Sequence, residues 1–163
     1  MSWIFINYRT QDEPGFAALL QRELSRALGA AAVFHAGSCI RPGDDFTAGL
    51  LDGVRGAGVL VAVIGARWFT TPHESGGRAV DHESDWVRRE IAEAFARGIR
   101  VVPVLINDVE RLTNASLPAD VQRLATCQYL RLRHRDVEFD LARITAELAV
   151  HVGRGAWSAL PRL

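Results

Sequence analysis

Cysteine and long apolar runs are both scarce in this sequence. Only two cysteines occur among its 163 residues, Cys39 and Cys127, and neither stands in a CxxC or CxxH spacing. Their scarcity excludes a disulfide framework and a cysteine-based zinc site, and it favours a reducing, cytoplasmic setting. The longest apolar run, residues 59–64, is far shorter than the roughly 20 residues that span a bilayer, and the first residues lack a signal-peptide pattern. We therefore expect a soluble domain.

The sequence also has no excess of either charge. Its 19 Lys and Arg residues balance 19 Asp and Glu residues. The chain therefore has no excess of positive charge that would favour binding to nucleic acid or to an anionic membrane. The composition is otherwise that of a globular protein, with 48% apolar and 23% charged residues. A chain of this length can bury enough surface to fold as one domain without metal or disulfide.

Several common catalytic motifs are missing. Neither GxGxxG nor GxxxxGK[ST] occurs, and no GxSxG nucleophile elbow is present. The first apolar run ends in residues 7–9 (Asn-Tyr-Arg) rather than in the acidic residues that hold Mg²⁺ in a response-regulator receiver. Residues 73–74 and 82–83 are His-Glu pairs, but they lack the HExxH spacing, so we interpret them as solvated pairs and predict no metal site.

Apolar runs alternate with helical periodicities along the chain. The runs predict strands at residues 3–6, 31–34, 59–64, 101–106 and 128–130. Apolar residues at helical spacing predict helices that include Phe16, Phe46, Val87, Val121 and Leu141. Ser84 or Asp85 is suited to cap the third of these helices. Pro103 interrupts the fourth apolar run, which favours a position near a sheet edge or an irregular pairing.

This alternation predicts a flavodoxin-like α/β fold. We expect a doubly wound five-stranded parallel sheet of order 2-1-3-4-5 with helices on both faces. In such sheets ligands bind beyond the carboxyl ends of the strands at the switch point, here between the first and third strands. Residues 8–9, 35–45 and 65–84 should therefore surround one cleft. We expect the domain to span residues 1–152, and residues 153–163 to form a C-terminal tail or linker.

Four segments, in order along the chain, resemble one known family. Residues 4–9 (Ile-Phe-Ile-Asn-Tyr-Arg) resemble the first box of the Toll/interleukin receptor (TIR) domain, and residues 40–46 (Ile-Arg-Pro-Gly-Asp-Asp-Phe) resemble its BB loop. Residues 51–64 are similar to the family's second helix and third strand. Residues 86–91 (Trp-Val-Arg-Arg-Glu-Ile) match the tryptophan-x-x-x-glutamate of its third helix. The resemblance covers about residues 3–150 and favours a bacterial type of TIR domain.

The resemblance implies an enzymatic function. Many bacterial and plant TIR domains hydrolyse the nicotinamide glycosidic bond of NAD⁺ with the glutamate of this motif, which nominates Glu90 as the catalytic residue. Nicotinamide leaves from a cationic pyridinium, so its departure needs no second carboxyl group to protonate it. Glu90 would stabilise the developing oxocarbenium charge. NAD⁺ is then the substrate, no cofactor is expected, and the domain would be a defence or signalling effector, with or without cyclase activity.

The resemblance also assigns further residues to the site. The expected substrate contacts are Tyr8, Arg9, Phe34, Ile40, Trp68 and Trp86. For Phe34 and Trp68, packing in the core is the alternative. The BB loop, which in this family opens the pocket or reaches a neighbouring protomer, contains Arg41, Pro42, Gly43 and Asp44. The sequence departs from the family at Ala36, beside His35, where many TIR domains have an aspartate.

Two alternatives remain open on sequence alone. Without the resemblance, Glu90 is a solvated glutamate near a helix N-terminus, beside Arg88 and Arg89. TIR domains also act as non-catalytic interaction modules, by head-to-tail association that generates filaments where the contact does not close. The expected partners are therefore NAD⁺ and other TIR domains, with neither nucleic acid nor membrane among them.

Overall fold

A computed structural model describes residues 2–35, 43 and 45–152, apart from the side chains of residues 46, 47 and 50. The strands in these residues are β1 (Trp3–Asn7), β2 (Val33–His35), β3 (Ala57–Ile64), β4 (Arg100–Ile106) and β5 (Leu130–Leu132). The α-helices are α1 (Pro14–Leu28), α2 (Phe46–Arg55), α3 (Trp86–Ala96) and α4 (Val137–Ala149). Short 3₁₀ helices lie at Ala30–Ala32, Ala79–Asp81, Asn114–Ser116, Ala119–Ala125 and His134–Asp136.

The five strands form one parallel sheet of order β2-β1-β3-β4-β5, which confirms the predicted topology. Strand β3 is apolar on both faces because helices cover both faces of the sheet. Helices α1 and α4 pack on one face, against Ile4, Ile6 and Val61. Helices α2 and α3 pack on the other face, against Phe5 and Leu60. The chain therefore has two apolar cores separated by the sheet.

Pro103 lies where the sheet can accept a residue without an N–H group. It pairs with Ala62 of β3, whereas the pairing of β4 with β5 begins one residue later, at Val104. At the level of Pro103, β4 is thus paired with β3, and its pairing with β5 begins only at the next residue. This agrees with the predicted position near an edge.

The long segment between β3 and α3 packs back onto the molecule. Its Trp68 and Val80 side chains are buried in the core beneath α3, and residues Pro72 and Arg78 form an antiparallel bridge. The buried carboxylate of Asp12 accepts hydrogen bonds from the backbone N–H groups of Gly65 (2.7 Å) and Arg67 (2.8 Å). These contacts fix the path of the chain as it leaves β3.

Candidate active site

A cleft of about 810 Å³ lies at the predicted switch point, beyond the carboxyl end of β1. Its volume is within the usual range for small-molecule sites. Three segments far apart in sequence line it, namely the loop after β1, the segment between β3 and α3, and the first turns of α3. The lining residues are Tyr8, Arg9, Thr10, Gln11, Thr71, Pro72, His73, Glu74, Ala79, Ser84, Asp85, Trp86, Val87 and Glu90.

Glu90 is a buried wall residue of this cleft. Only 2% of its surface is exposed, and its Oε2 atom accepts a hydrogen bond of 2.7 Å from Nδ2 of Asn7. The neighbouring arginines point elsewhere, because Arg88 pairs with Asp120 and the Arg89 guanidinium stacks 4.2 Å from the ring centre of Trp86. The alternative interpretation of Glu90 as a solvated surface glutamate is therefore wrong.

Burial changes the acid–base behaviour of Glu90. Desolvation raises the pKa of its carboxyl group from 4.5 to about 8, and the nearby charge of Asp85 acts in the same direction. The hydrogen bond from Asn7 acts in the opposite direction and lowers that pKa, because it favours the ionised carboxylate. A positively charged ligand beside Glu90 would favour the ionised form in the same way. Perturbed carboxyl groups of this kind in clefts are characteristic of functional sites.

Arg9 ties the end of β1 to the beginning of α3. Its guanidinium donates to both carboxylate oxygens of Asp85, at 2.8 and 2.6 Å, and its Nε–H donates to the carbonyl of Trp68 at 2.9 Å. Asp85 also caps α3, since its carboxylate accepts from the backbone N–H of Arg88 at 3.2 Å. Asp85 is thus the predicted cap, and Arg9 is bound within the wall of the cleft.

The structure brings together four of the predicted site residues. Tyr8, Arg9, Trp86 and Glu90 line the cleft. Trp68 does not, because it is fully buried behind Arg9, whose Cζ lies 5.1 Å from the centre of the indole ring. After β3 the chain packs back against the core beneath α3, so the indole ring of Trp68 lies in this core instead of in the cleft wall.

Phe34 and Gly43 are not among the residues that line the cleft. Phe34 stacks on Trp3 and Phe5, at centroid distances of 5.6 and 5.9 Å, and packs with the core beneath α2. Gly43 is exposed in a turn with φ of 98°, which a glycine adopts without strain. The other residues assigned to this loop or discussed with it, Ala36, Ile40, Arg41, Pro42 and Asp44, lie outside the described residues.

Three further features beside the cleft were not assigned to the site from the sequence. Asn7, at the end of β1, is fully buried and contacts Glu90. Thr71 lines the cleft and donates to the carbonyl of Arg67 at 2.6 Å. The rings of His73 and His82 stack 3.7 Å apart beside the cleft. Asn7 could have been found from the sequence, because it is a polar residue at the end of an apolar strand. The histidine stack could not, because His73 and His82 are nine positions apart in an irregular segment.

Comparisons with known proteins agree with this architecture. A family model described as "TIR domain" matches residues 4–147. The chain belongs to the TIR domain family. A search of curated proteins found no match. Among solved structures, the TIR domains of the activated Roq1 resistosome, which directly recognises the pathogen effector XopQ, superpose with a TM-score of 0.68 at 14% identity, covering 91% of this chain and 99% of theirs.

Two structural features, a membrane-spanning helix and a group of metal-binding side chains, are absent from the described residues. Among the residues that the structure describes, no helix is long and apolar enough to cross a membrane. The same residues contain no group of three or more His, Cys, Asp or Glu side chains arranged to hold a metal ion.

Proposed function

We propose that this TIR domain is an NAD⁺ glycohydrolase and that Glu90 is its catalytic residue. The observation that carries the proposal is a carboxyl group, 2% exposed, in the wall of a cleft of about 810 Å³. It stands at the glutamate of the tryptophan-x-x-x-glutamate motif, in a chain that belongs to the TIR family. Trp86, four residues earlier on α3, lines the same cleft.

The reaction breaks the bond between C1′ of the ribose and the pyridinium nitrogen of NAD⁺. The bonding electron pair stays on that nitrogen, so nicotinamide leaves as a neutral molecule without being protonated. The ribose is left as an oxocarbenium ion, whose positive charge the carboxylate of Glu90 stabilises while it accepts hydrogen bonds from the ribose hydroxyls. Water then adds to C1′, giving ADP-ribose and a proton. Attack by the adenine ring instead of water gives a cyclic product.

The buried position of Glu90 suits a cationic substrate. In the free domain, burial disfavours the carboxylate, as the pKa of about 8 indicates. The pyridinium of bound NAD⁺ places a positive charge nearby and favours the carboxylate again. Substrate binding is therefore expected to favour the charged carboxylate, which is the form that stabilises the oxocarbenium ion.

The proposal is tested by nicotinamide release from NAD⁺ with wild type, Glu90→Gln and Glu93→Gln. Glu93 is a matched control, because it lies one turn further along α3 and its carboxylate pairs with Arg55 and Arg97 outside the cleft. We expect Glu90→Gln to lower kcat by about 100-fold or more, and Glu93→Gln to retain wild-type activity. Wild-type release that persists in Glu90→Gln would exclude Glu90 as the catalytic group.

The biological role that we propose is a cytoplasmic defence or signalling effector of bacterial type, activated by self-association. NAD⁺ is its substrate, no cofactor is needed, and its partners are other TIR domains rather than nucleic acid or membranes. The similarity to TIR domains of the Roq1 resistosome supports the self-association, because those domains belong to an activated assembly. The balanced charge of the chain supports the exclusion of polyanionic partners.

The second candidate function is a non-catalytic TIR–TIR interaction module. The same similarity to the Roq1 TIR domains favours it, since the fold by itself serves recognition as well as catalysis. Absence of nicotinamide release from a folded, self-associating wild-type domain would favour this candidate. Release that depends on Glu90, with self-association unchanged in Glu90→Gln, would favour the enzyme.

A further inference from the structure

Asn7 makes a contact that strand formation does not require. It is the last residue of β1, it is fully buried, and its side-chain amide reaches across to α3. There Nδ2 donates to two acceptors one helical turn apart, the carbonyl of Val87 at 3.1 Å and Oε2 of Glu90 at 2.7 Å. Both N–H groups of the amide are thereby engaged.

The carbonyl of Val87 determines which way this amide faces. A carbonyl oxygen can only accept a hydrogen bond, so the amide atom beside it has to be the nitrogen. If the amide were rotated by half a turn, Oδ1 would face the Val87 carbonyl and Glu90 Oε2, and acceptors would then face acceptors. Asn7 can therefore act toward Glu90 only as a donor, so Oε2 accepts this hydrogen bond and any proton on the carboxyl group is carried by Oε1.

The two oxygens of Glu90 are consequently unequal. Oε2 is bound by Asn7, whereas no hydrogen bond from the described residues reaches Oε1. Since Glu90 lines the cleft, Oε1 is the oxygen available to a ligand there. We propose that Asn7 is the positioning residue of the site, because it binds Oε2, favours the ionised carboxylate of Glu90 and leaves Oε1 directed to the substrate. This inference rests on the proposed function, because it assigns Asn7 a role in that reaction.

The cost of this arrangement supports a functional role for Asn7. Its Oδ1 is buried and has no partner among the described residues. An unpaired buried acceptor opposes folding, so the asparagine is a poor choice for stability alone. A buried group that weakens the fold while contacting the catalytic carboxyl is typical of a functional site.

The test uses Asn7→Ala and the isosteric Asn7→Asp, with Trp3→Phe as the matched control. Trp3 lies at the other end of β1, and its Nε1–H donates to the carbonyl of Gly53 at 2.8 Å, so Trp3→Phe also removes one side-chain hydrogen bond from this strand. Two quantities are measured in each protein. One is the titration of the Glu90 carboxyl carbon by NMR, assigned with Glu90→Gln, and the other is the pH profile of kcat/KM for nicotinamide release.

We expect both Asn7 variants to move the Glu90 titration to higher pH. In Asn7→Ala the donor that favours the carboxylate is lost, and in Asn7→Asp a second carboxyl group shares its proton with Glu90. The rising limb of kcat/KM should move with the titration, so that activity at pH 7 falls about tenfold if the pKa of Glu90 rises by about one. Trp3→Phe should change neither quantity.

Asn7→Asp conserves the volume of the side chain, so a folded variant is available should Asn7→Ala fail to fold. A Glu90 titration that stays at the wild-type pH in a folded Asn7 variant would overturn the inference, even where wild type releases nicotinamide. If wild type releases none while the titration moves, the proposed function fails but the contact between Asn7 and Glu90 still sets the charge of that carboxyl. The two failures are thus distinguishable.

Discussion

The burial of Glu90 predicts how the proposed hydrolysis of NAD⁺ depends on pH. The ionised carboxylate is the form that stabilises a cationic transition state, and in the free domain the pKa of Glu90 is about 8. Since kcat/KM reports ionisations of the free enzyme, we expect it to rise from pH 6 and to level off above about pH 8. A profile measured from pH 5.5 to 9.5 checks this. A flat profile, or one that falls above pH 6, would contradict it.

The raised pKa of Glu90 also predicts how stability depends on pH. The folded state keeps its proton on Glu90 up to about pH 8, whereas the unfolded chain releases it near the ordinary value of 4.5. The folded state therefore loses stability as the pH rises through this window. Glu90→Gln removes this loss, so we expect it to be more stable than wild type at pH 8, with a difference that shrinks toward pH 5. Urea unfolding at several pH values measures it.

Glu93→Gln should show the opposite pattern in the same experiment. The hydrogen bonds from Arg55 and Arg97 lower the pKa of Glu93, so this carboxylate contributes stability above its unfolded pKa and loses it as the pH falls. The control variant should therefore be the less stable protein at pH 8 and approach wild type in acid. Parallel behaviour of the two variants would contradict the assignment of the pH effect to the burial of Glu90.

The sequence identifies residues of the site better than it places their side chains. Glu90 and Trp86 are found through the motif on α3, and both line the cleft. Arg9 is also found, but its binding to Asp85 depends on a contact between residues 76 positions apart, which no local pattern encodes. Trp68 shows the same limit, since an aromatic residue after a strand can enter either the cleft or the core.

At the scale of elements, the ion pair between Arg9 and Asp85 connects the end of β1 to the beginning of α3 in the wall of the cleft. The Arg9–Asp85 ion pair is almost completely buried, with side-chain exposures of 3% and 9%. Asp85→Asn keeps a good capping residue but leaves the Arg9 charge uncompensated, so we expect a loss of about 3 kcal/mol in the free energy of unfolding. Urea denaturation checks this value.

Asp52→Asn is the matched control for this prediction. It breaks the ion pair with Arg55, whose two side chains are 40% and 67% exposed, and should cost less than about 1 kcal/mol. Combining Asp85→Asn with Arg9→Met should recover part of the stability, because the unpaired buried charge is then removed. Equal effects of Asp85→Asn and Asp52→Asn would show that the buried pair does not hold α3 in place.

Strand order follows from the sequence, whereas the edges of the sheet are less predictable. Strand β3 is predicted from its apolar run and forms as expected in the centre. Strand β2 begins two residues later than predicted, because Ala30–Ala32 form a 3₁₀ helix. Strand β5 lies at Leu130–Leu132 instead of residues 128–130. A three-residue edge strand is defined by its pairing with β4, and only the alternation of Leu130 and Leu132 marks it in the sequence.

At the scale of the whole molecule, the cleft is a product of topology. A parallel sheet of order β2-β1-β3-β4-β5 separates the connections after β1 and β3, and the polar residues that follow β1 meet the start of α3 there. This is why the position of the site could be predicted from the alternation of strands and helices. The chemistry could not, because the same topology serves many functions and the proposed reaction depends on a single glutamate.

The proposed activation by self-association predicts that activity depends on protein density. If neighbouring TIR domains complete or stabilise the active site, the fraction of active protein follows mass action, and nicotinamide release per molecule should rise by about tenfold or more on beads or under crowding. Adding excess Glu90→Gln to dilute wild type tests this further. We expect this variant to be inactive but to keep its surfaces, so it should raise the activity of the wild-type molecules by supplying neighbours. Activity per wild-type molecule that stays constant across dilution, immobilisation and mixing would show that each domain acts alone.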